Sequence, residues 1–245
     1  AVAVEELGDR ALAVTALSPT YPAWEQKEAR RLASHLGIRH LTVRSNELKI
    51  PGFAQNPVNR CYHCKRELFK ILRAMARRRG LAVVADGANA DDLRDYRPGR
   101  TAAKEWGIAS PLLEAGMDKA DIRRLSRAMG LPTADKPSFA CLASRFPYGS
   151  KITADKLRAV DSVEQAVRGL GFSQVRVRHH GDTARIEVEP AHIELLCLPD
   201  HRRAVVRAAK AAGFLYVALD LAGYRTGSMN EGLPKSQARR GKRAG

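Results

Sequence analysis

The strongest constraint on the fold is an alternation of short apolar runs with amphipathic stretches of helical length. Residues 11–17 (ALAVTAL) read as a buried strand, 24–36 as a helix and 40–43 as a second strand. The helix carries Trp24, Ala29, Leu32, Ala33 and Leu36 on one side. A further helix buries Leu68, Phe69, Leu72, Met75 and Ala76, and residues 82–85 (AVVA) follow as a third strand. Strands alternating with helices imply an α/β fold with a doubly wound parallel sheet. Ligands of such sheets sit beyond the carboxyl ends of the strands, where Ser18, Asp86 and Gly87 fall. Residues 1–9 look like the end of a helix stopped near Gly8. Residues 118–129 read as a helix capped by Asp118, with Ile122, Leu125 and Met129 inward. The polar loop 86–100 reads equally as a solvated loop and as a ligand-binding one.

After Gly149 the pattern changes. Thr153 caps a helix reaching about Leu170, with Leu157, Val160, Val163, Val167 and Leu170 as its apolar stripe. Glu164 lies at the edge of that stripe, where a snorkelling carboxylate is the plain expectation. In 175–178 (VRVR) the two-residue period of a strand points both valines one way and Arg176 and Arg178 the other. Arg185 and Glu187 share a face in the same manner. Two arginines on one face suit bidentate phosphate recognition, although a half-exposed antiparallel sheet explains them as well. A helix near 202–212 and a strand at 215–219 close this region, and Cys197 between two leucines reads as core. These patterns divide the chain into an α/β domain over 1–135, a smaller α+β domain over 136–230 and a basic tail over 231–245.

Of the 245 residues, 44% are hydrophobic and 28% charged, as in soluble globular proteins, and no apolar run approaches a membrane span. The net charge of +16 points to phosphate-bearing partners without separating a small nucleotide from RNA. Four cysteines are too few for a disulfide scaffold. The CxxC pair Cys61 and Cys64, in a chain with no export signal, suggests metal, cluster or redox chemistry in the cytoplasm. A lone CxxC serves structural zinc, redox pairs and iron–sulfur sites alike. Cys141 lies among small residues between Pro137 and Pro147 and reads equally as a reactive thiol and as a small buried hydrophobe.

Taken in order, NRCYHCKRELF, DGANADDLRDYRPG, KPSFACLASRFPYG, the VRVRHH and ARIE pair, and GYRTGSMNE resemble the LarE-type sulfur transferases. These are PP-loop ATP pyrophosphatase relatives that make the nickel-pincer cofactor of lactate racemase. The resemblance implies that ATP, with Mg, adenylylates a carboxylate of pyridinium-3,5-biscarboxylic acid mononucleotide and releases pyrophosphate. Sulfur then displaces AMP to leave a thiocarboxylate. It places the family's phosphate-holding arginine pair on Arg176 and Arg178, its inward glutamate on Glu164, and its Ser-Arg pair on Ser144 and Arg145. With it, the functional reading of these residues overtakes the plain one. Ser18, Asp86 and Gly87 are expected to touch the nucleotide.

Members that sacrifice a cysteine carry it four residues before the serine, where this chain has Ala140. They also have tryptophan and alanine where this chain has Cys61 and Cys64. The chain therefore resembles the three-cysteine branch, in which Cys61, Cys64 and Cys141 are expected to hold a 4Fe–4S cluster. Zinc completed by a histidine, and Cys141 as a displaced sacrificial donor, are the alternatives. The family's SGGxDS phosphate loop is expected ahead of Ala1. The resemblance further implies a homo-oligomer that passes its product to a nickel-insertion enzyme, with neither membrane nor nucleic acid as partner. A tRNA thiolase of the same superfamily, favoured by the charge, and a non-catalytic zinc- or cluster-binding scaffold are the competing functions.

Overall fold

The computed structural model describes residues 1–93, 97–225 and 227–231, which form two compact units. One comprises Ala1–Phe53 with Val58–Lys136; the other comprises Ala54–Pro57 with the described residues from Pro137 onward. The basic tail beyond Glu231 lies outside the described residues.

In the first unit α1 (Val2–Leu7) stops at Gly8, whose φ of 51° ends the helix as the sequence leads one to expect. β1 (Leu12–Leu17), α2 (Ala23–His35) and β2 (Arg39–Arg44) form a βαβ crossover, with the strands parallel and paired from Leu12–Arg39 to Leu17–Arg44. α3 (Arg60–Arg78) buries Phe69 against Ala102 and Ala103 of α4 (Gly99–Glu105) and against Ile108, with Tyr62, Leu72, Val84 and Trp106 around them. The expected strand at 82–85 does not form. Ala85 makes a single parallel bridge to Ala109, because Pro111 starts α5 (Pro111–Glu114) two residues later and ends the partner segment. The parallel sheet therefore has two strands among the described residues.

α6 (Lys119–Ala128) carries the expected Asp118 cap, with the Asp118 and Asp121 side chains each accepting the other's backbone N–H. The expectation for its inward face fails: Leu125 and Met129 are exposed. The half-buried side runs instead through Ile122, Arg123 and Ser126, because the Arg123 guanidinium is drawn in to donate to the carbonyls of Ala134 and Lys136.

The second unit contains α7 (Ala154–Gly169), β3 (Val175–His180), β4 (Thr183–Val188), α8 (Ile193–Cys197), α9 (Pro199–Ala211) and β5 (Tyr216–Leu219). The strand order is β3-β4-β5, with β3 antiparallel and β5 parallel to β4. Thr153 caps α7, and Leu157, Val160, Val163 and Val167 form its buried stripe as read from the sequence. α7 packs on β3 and on α9. Cys197 corrects the expectation of a core residue. It is exposed, because α8 spans little more than one turn and turns only Leu196 inward.

Two local features hold the loops of this unit. Asn56 is fully buried, and its side-chain amide donates to the carbonyls of Phe146 and Pro147 (3.1 and 2.7 Å). Gly223, at φ 66°, lets Tyr224 donate its N–H to Val188 at the end of β4 (2.7 Å). A Cβ at Gly223 would sit 2.8 Å from the Val188 carbonyl and 3.1 Å from Pro190. Gly223→Ala is expected to destabilise the protein by about 1–3 kcal/mol, read as a lower urea midpoint; an unchanged midpoint would reject this close approach.

His179 is buried on the valine face of β3, stacked on Phe146 (5.1 Å between centroids) with Phe214 edge-on (5.2 Å). Burial lowers its pKa below the ordinary 6.5, Lys156 of α7 adds to the shift, and Asp182 opposes it. The unfolded chain therefore takes up the proton first. Stability is full above the unfolded value and declines as pH falls through the window beneath it. The urea midpoint should drop between about pH 7.5 and about pH 5.5, and His179→Phe should flatten the drop. Equal declines in both proteins would exclude His179 as the cause.

Candidate functional site

The chemistry-bearing residues fall into two sets, one in each unit. In the second unit the β3–β4 register places Arg176 opposite Glu187 and Arg178 opposite Arg185, all on one sheet face. That face is covered rather than half-exposed: Arg176 is 3%, Arg178 8% and Glu187 1% exposed.

Glu187 does not pair with the arginine directly across from it. Arg178 reaches diagonally, Nε to Oε1 at 2.9 Å and Nη2 to Oε2 at 2.8 Å, and Arg185 adds a third contact at 3.0 Å. Arg178 also donates to the Ser144 carbonyl (2.8 Å) and to Ser228 Oγ (2.9 Å). Ser144 and Ser228 thus share one guanidinium, and Tyr148 donates to Asn230 (3.0 Å).

A second buried pair joins loop to helix. Arg145 is fully buried and grips Glu164 through Nε–Oε1 (2.7 Å) and Nη2–Oε2 (2.9 Å). Glu164 does not snorkel; its Oε1 also accepts the N–H of Val177 (3.0 Å). Arg145 Nη1 donates to the carbonyls of Ala140 and Cys141 and to Ser144 Oγ (2.5, 3.1 and 3.0 Å). The Cys141 thiol is half-buried on the loop so held.

Arg176 is the exception. Among the described residues no carboxylate pairs with it. Its Nη1 and Nη2 donate to the carbonyls of Val175 (2.8 Å) and Ser138 (3.0 Å), and its guanidinium faces the rings of Phe139 (5.4 Å) and Tyr224 (5.1 Å). Burial, helped by the neighbouring Arg145 charge, lowers its pKa to about 10, which leaves it charged at neutral pH. The arrangement can take an anion. Phe139, Tyr224 and Ser138 were not singled out from the sequence, although all three lie in the strings that carry the family resemblance.

In the first unit a shallow cleft of about 470 Å³ opens past the carboxyl ends of β1 and β2, lined by Leu17, Ser18, Gln26, Arg44, Ser45 and Asn46. Ser18 Oγ donates to the buried carboxylate of Glu47, Ser45 Oγ donates to its other oxygen (2.8 Å), and the Cys64 thiol reaches that oxygen at 4.0 Å. Glu47 was missed, and its place just past β2 is the signal that could have found it. Asp86 and Gly87 do not line this cleft. The Asp86 carboxylate instead accepts the Ala88 N–H (3.1 Å) and the Ser110 hydroxyl (2.8 Å), holding its own loop.

Cys61 and Cys64 sit in the first turn of α3, the first exposed and the second half-buried, and none of the four cysteines is in a disulfide. They present two thiols, and Cys141 belongs to the other unit. Among the described residues no group of three His, Cys, Asp or Glu side chains is gathered to hold a metal ion. Neither unit by itself therefore offers the three thiols that a cluster of this kind takes.

A parallel βαβ unit joined to a second unit with a guanidinium-rich polar centre defines the general class as a two-unit α/β protein. No family model matches the chain. A Synechocystis protein of uncharacterised activity is 46% identical over 234 residues, covering 96% of this chain and 87% of the relative. The pyridinium-3,5-bisthiocarboxylic acid mononucleotide synthase of Lactiplantibacillus plantarum is 38% identical over 238 residues, covering 96% and 85%. An uncharacterised Methanocaldococcus jannaschii protein is 30% identical over 179 residues, covering 73% and 69%. The chain belongs to the LarE-type family of the Lactiplantibacillus synthase.

Removing one partner of a buried, doubly hydrogen-bonded pair leaves the other charge uncompensated. Glu164→Ala should lower the free energy of unfolding by about 3–5 kcal/mol. Arg145→Met combined with Glu164→Leu should recover only part of that loss, because the Val177 N–H and the Ala140 and Cys141 carbonyls lose their partners. A urea titration in which Glu164→Ala matches the parent protein would show that the pair does not hold the loop.

Proposed function

We propose that this protein is an ATP-dependent sulfur transferase acting on a pyridinium dicarboxylate mononucleotide, as a soluble cytoplasmic homo-oligomer whose product goes to a nickel-insertion enzyme. The observation that carries the reading is Arg176: a buried, charged guanidinium held by two carbonyls and two aromatic faces, with no carboxylate partner among the described residues. The phosphate of a mononucleotide supplies the missing counter-charge. The relative that names the chemistry is the synthase from Lactiplantibacillus, whose product is a pyridinium bisthiocarboxylic acid mononucleotide.

In this reading Arg176 is the phosphate ligand, and Arg178, Ser144 and Arg145 complete and fix the pocket. Glu164 orients Arg145. ATP, as its Mg complex, binds in the cleft lined by Ser18, and the Asp86 and Gly87 loop, which lies outside that lining, is assigned to the nucleotide by the family resemblance. The substrate carboxylate attacks the α-phosphorus, pyrophosphate leaves, and a sulfur nucleophile then displaces AMP from the acyl carbon. We carry the sulfur supply from the family resemblance alone: Cys61, Cys64 and Cys141 would hold a 4Fe–4S cluster, with zinc as the alternative occupant, and a cluster would supply the sulfur.

Two measurements test the reading. Charge-assisted contacts contribute roughly 1.5–3 kcal/mol each, so Arg176→Ala should weaken binding of a pyridine carboxylate mononucleotide by about tenfold or more in calorimetry. It should do so with less loss of thermal stability than Arg178→Ala, which also strands the Glu187 carboxylate. Unchanged affinity removes Arg176 from the site. For the sulfur source, anaerobic reconstitution with iron and sulfide should give repeated turnover. Conversion of Cys141 to dehydroalanine in one turnover, seen as loss of the mass of hydrogen sulfide, would replace the cluster by a sacrificial cysteine.

A further inference from the structure

Phe139 stands at the centre of a group of like charges that would otherwise repel. Its ring faces the guanidiniums of Arg145 (4.8 Å), Arg176 (5.4 Å) and Arg168 (5.9 Å). The residues beside it are gripped by two of the same arginines. Arg176 Nη2 takes the Ser138 carbonyl, and Arg145 Nη1 takes those of Ala140 and Cys141. These arginines are not equivalent. Arg145 is locked by Glu164 through two short bonds, whereas Arg176 has carbonyl and aromatic partners and no carboxylate among the described residues.

We infer that Phe139 is a positioning residue that couples the anion state of Arg176 to the setting of the Cys141 thiol. An anion on Arg176 draws on a guanidinium that is also bonded to Ser138 and faces the Phe139 ring. The change passes through the Phe139 ring, which faces both guanidiniums, to Arg145, whose Nη1 holds the Ala140 and Cys141 carbonyls, and the residue that responds is Cys141. Tyr224, on the GYR stretch, faces the same guanidinium (5.1 Å). An aliphatic side chain at 139 fills space but lacks the negative ring face that attracts cations. The inference rests on Arg176 being the phosphate ligand proposed above.

The test uses the full chain, freed of metal so that Cys141 carries a thiol, with inorganic phosphate as probe. Phosphate affinity is measured by calorimetry, and iodoacetamide labelling of each cysteine is followed by peptide mass, with exposed Cys197 as internal control. In the parent protein, saturating phosphate should change the Cys141 labelling rate by about fivefold or more and leave Cys197 unchanged. Phe139→Leu should weaken phosphate binding by about fivefold and abolish the Cys141 response even when saturated, while Phe139→Tyr keeps both. Should the Leu variant melt below the assay temperature, Phe139→Met takes its place. A parent-like Cys141 response in the aliphatic variant overturns the inference. Phosphate binding in the parent with no change at Cys141 overturns it while leaving Arg176 as the ligand, and no phosphate binding at all overturns both.

Discussion

The Arg145–Glu164 pair is the interaction on which the polar centre of the second unit depends. A fully buried guanidinium and a 2%-exposed carboxylate are tolerable only because every strong partner is present: two mutual hydrogen bonds, the Val177 N–H, and three oxygens of the 140–144 segment. One pair thereby joins three elements: α7 through Glu164, β3 through the Val177 amide, and the Cys141 loop through its carbonyls. A snorkelling glutamate could bind the loop to nothing.

The same logic decides which arginine of β3 is left without a carboxylate among the described residues. Glu187 stands directly across from Arg176, yet its two oxygens are taken by Arg178 from the diagonal and by Arg185 from two residues along its own strand. Two cations compete for one carboxylate, and a third is excluded. Aromatic faces and carbonyls substitute for the missing anion at Arg176. Nearest-neighbour pairing in the ladder would have assigned the partners wrongly.

Periodicity carried what is local. The βαβ crossover, the Asp118 and Thr153 caps and the alternation in β3 follow from side-chain spacing and end chemistry within a few residues. It failed where a distant chain segment decides. The AVVA run has strand composition but a partner cut short by Pro111. α6 turns by part of a helical face because Arg123 has carbonyls to reach. Of the polar centre, the sequence resemblance supplied Ser144, Arg145, Glu164, Arg176 and Arg178. It gave no means of telling paired arginines from the one without a carboxylate, since that depends on rotamers across a ladder. Glu47 shows the complementary gap, a single carboxylate in no quoted motif that gathers Ser18, Ser45 and Cys64 past the ends of two strands.

The formal charge of +16 describes the whole chain and says little about chemistry, because an exposed charge is screened by water and salt. The decisive imbalance is local. Among the described residues, Arg145, Arg176 and Arg178 are buried and face two buried carboxylates, Glu164 and Glu187, the latter also contacted by Arg185, so cations are in excess where screening is weakest. Folding has to desolvate that excess, and burial accordingly lowers the pKa of Arg176 to about 10, still well above neutrality. A group that binds only the folded chain and brings negative charge to this point recovers part of the desolvation energy, and by linkage it stabilises the fold that creates the site. The polar centre is thus less an assembled set of ligands than an electrostatic balance in which, among the described residues, guanidiniums outnumber carboxylates.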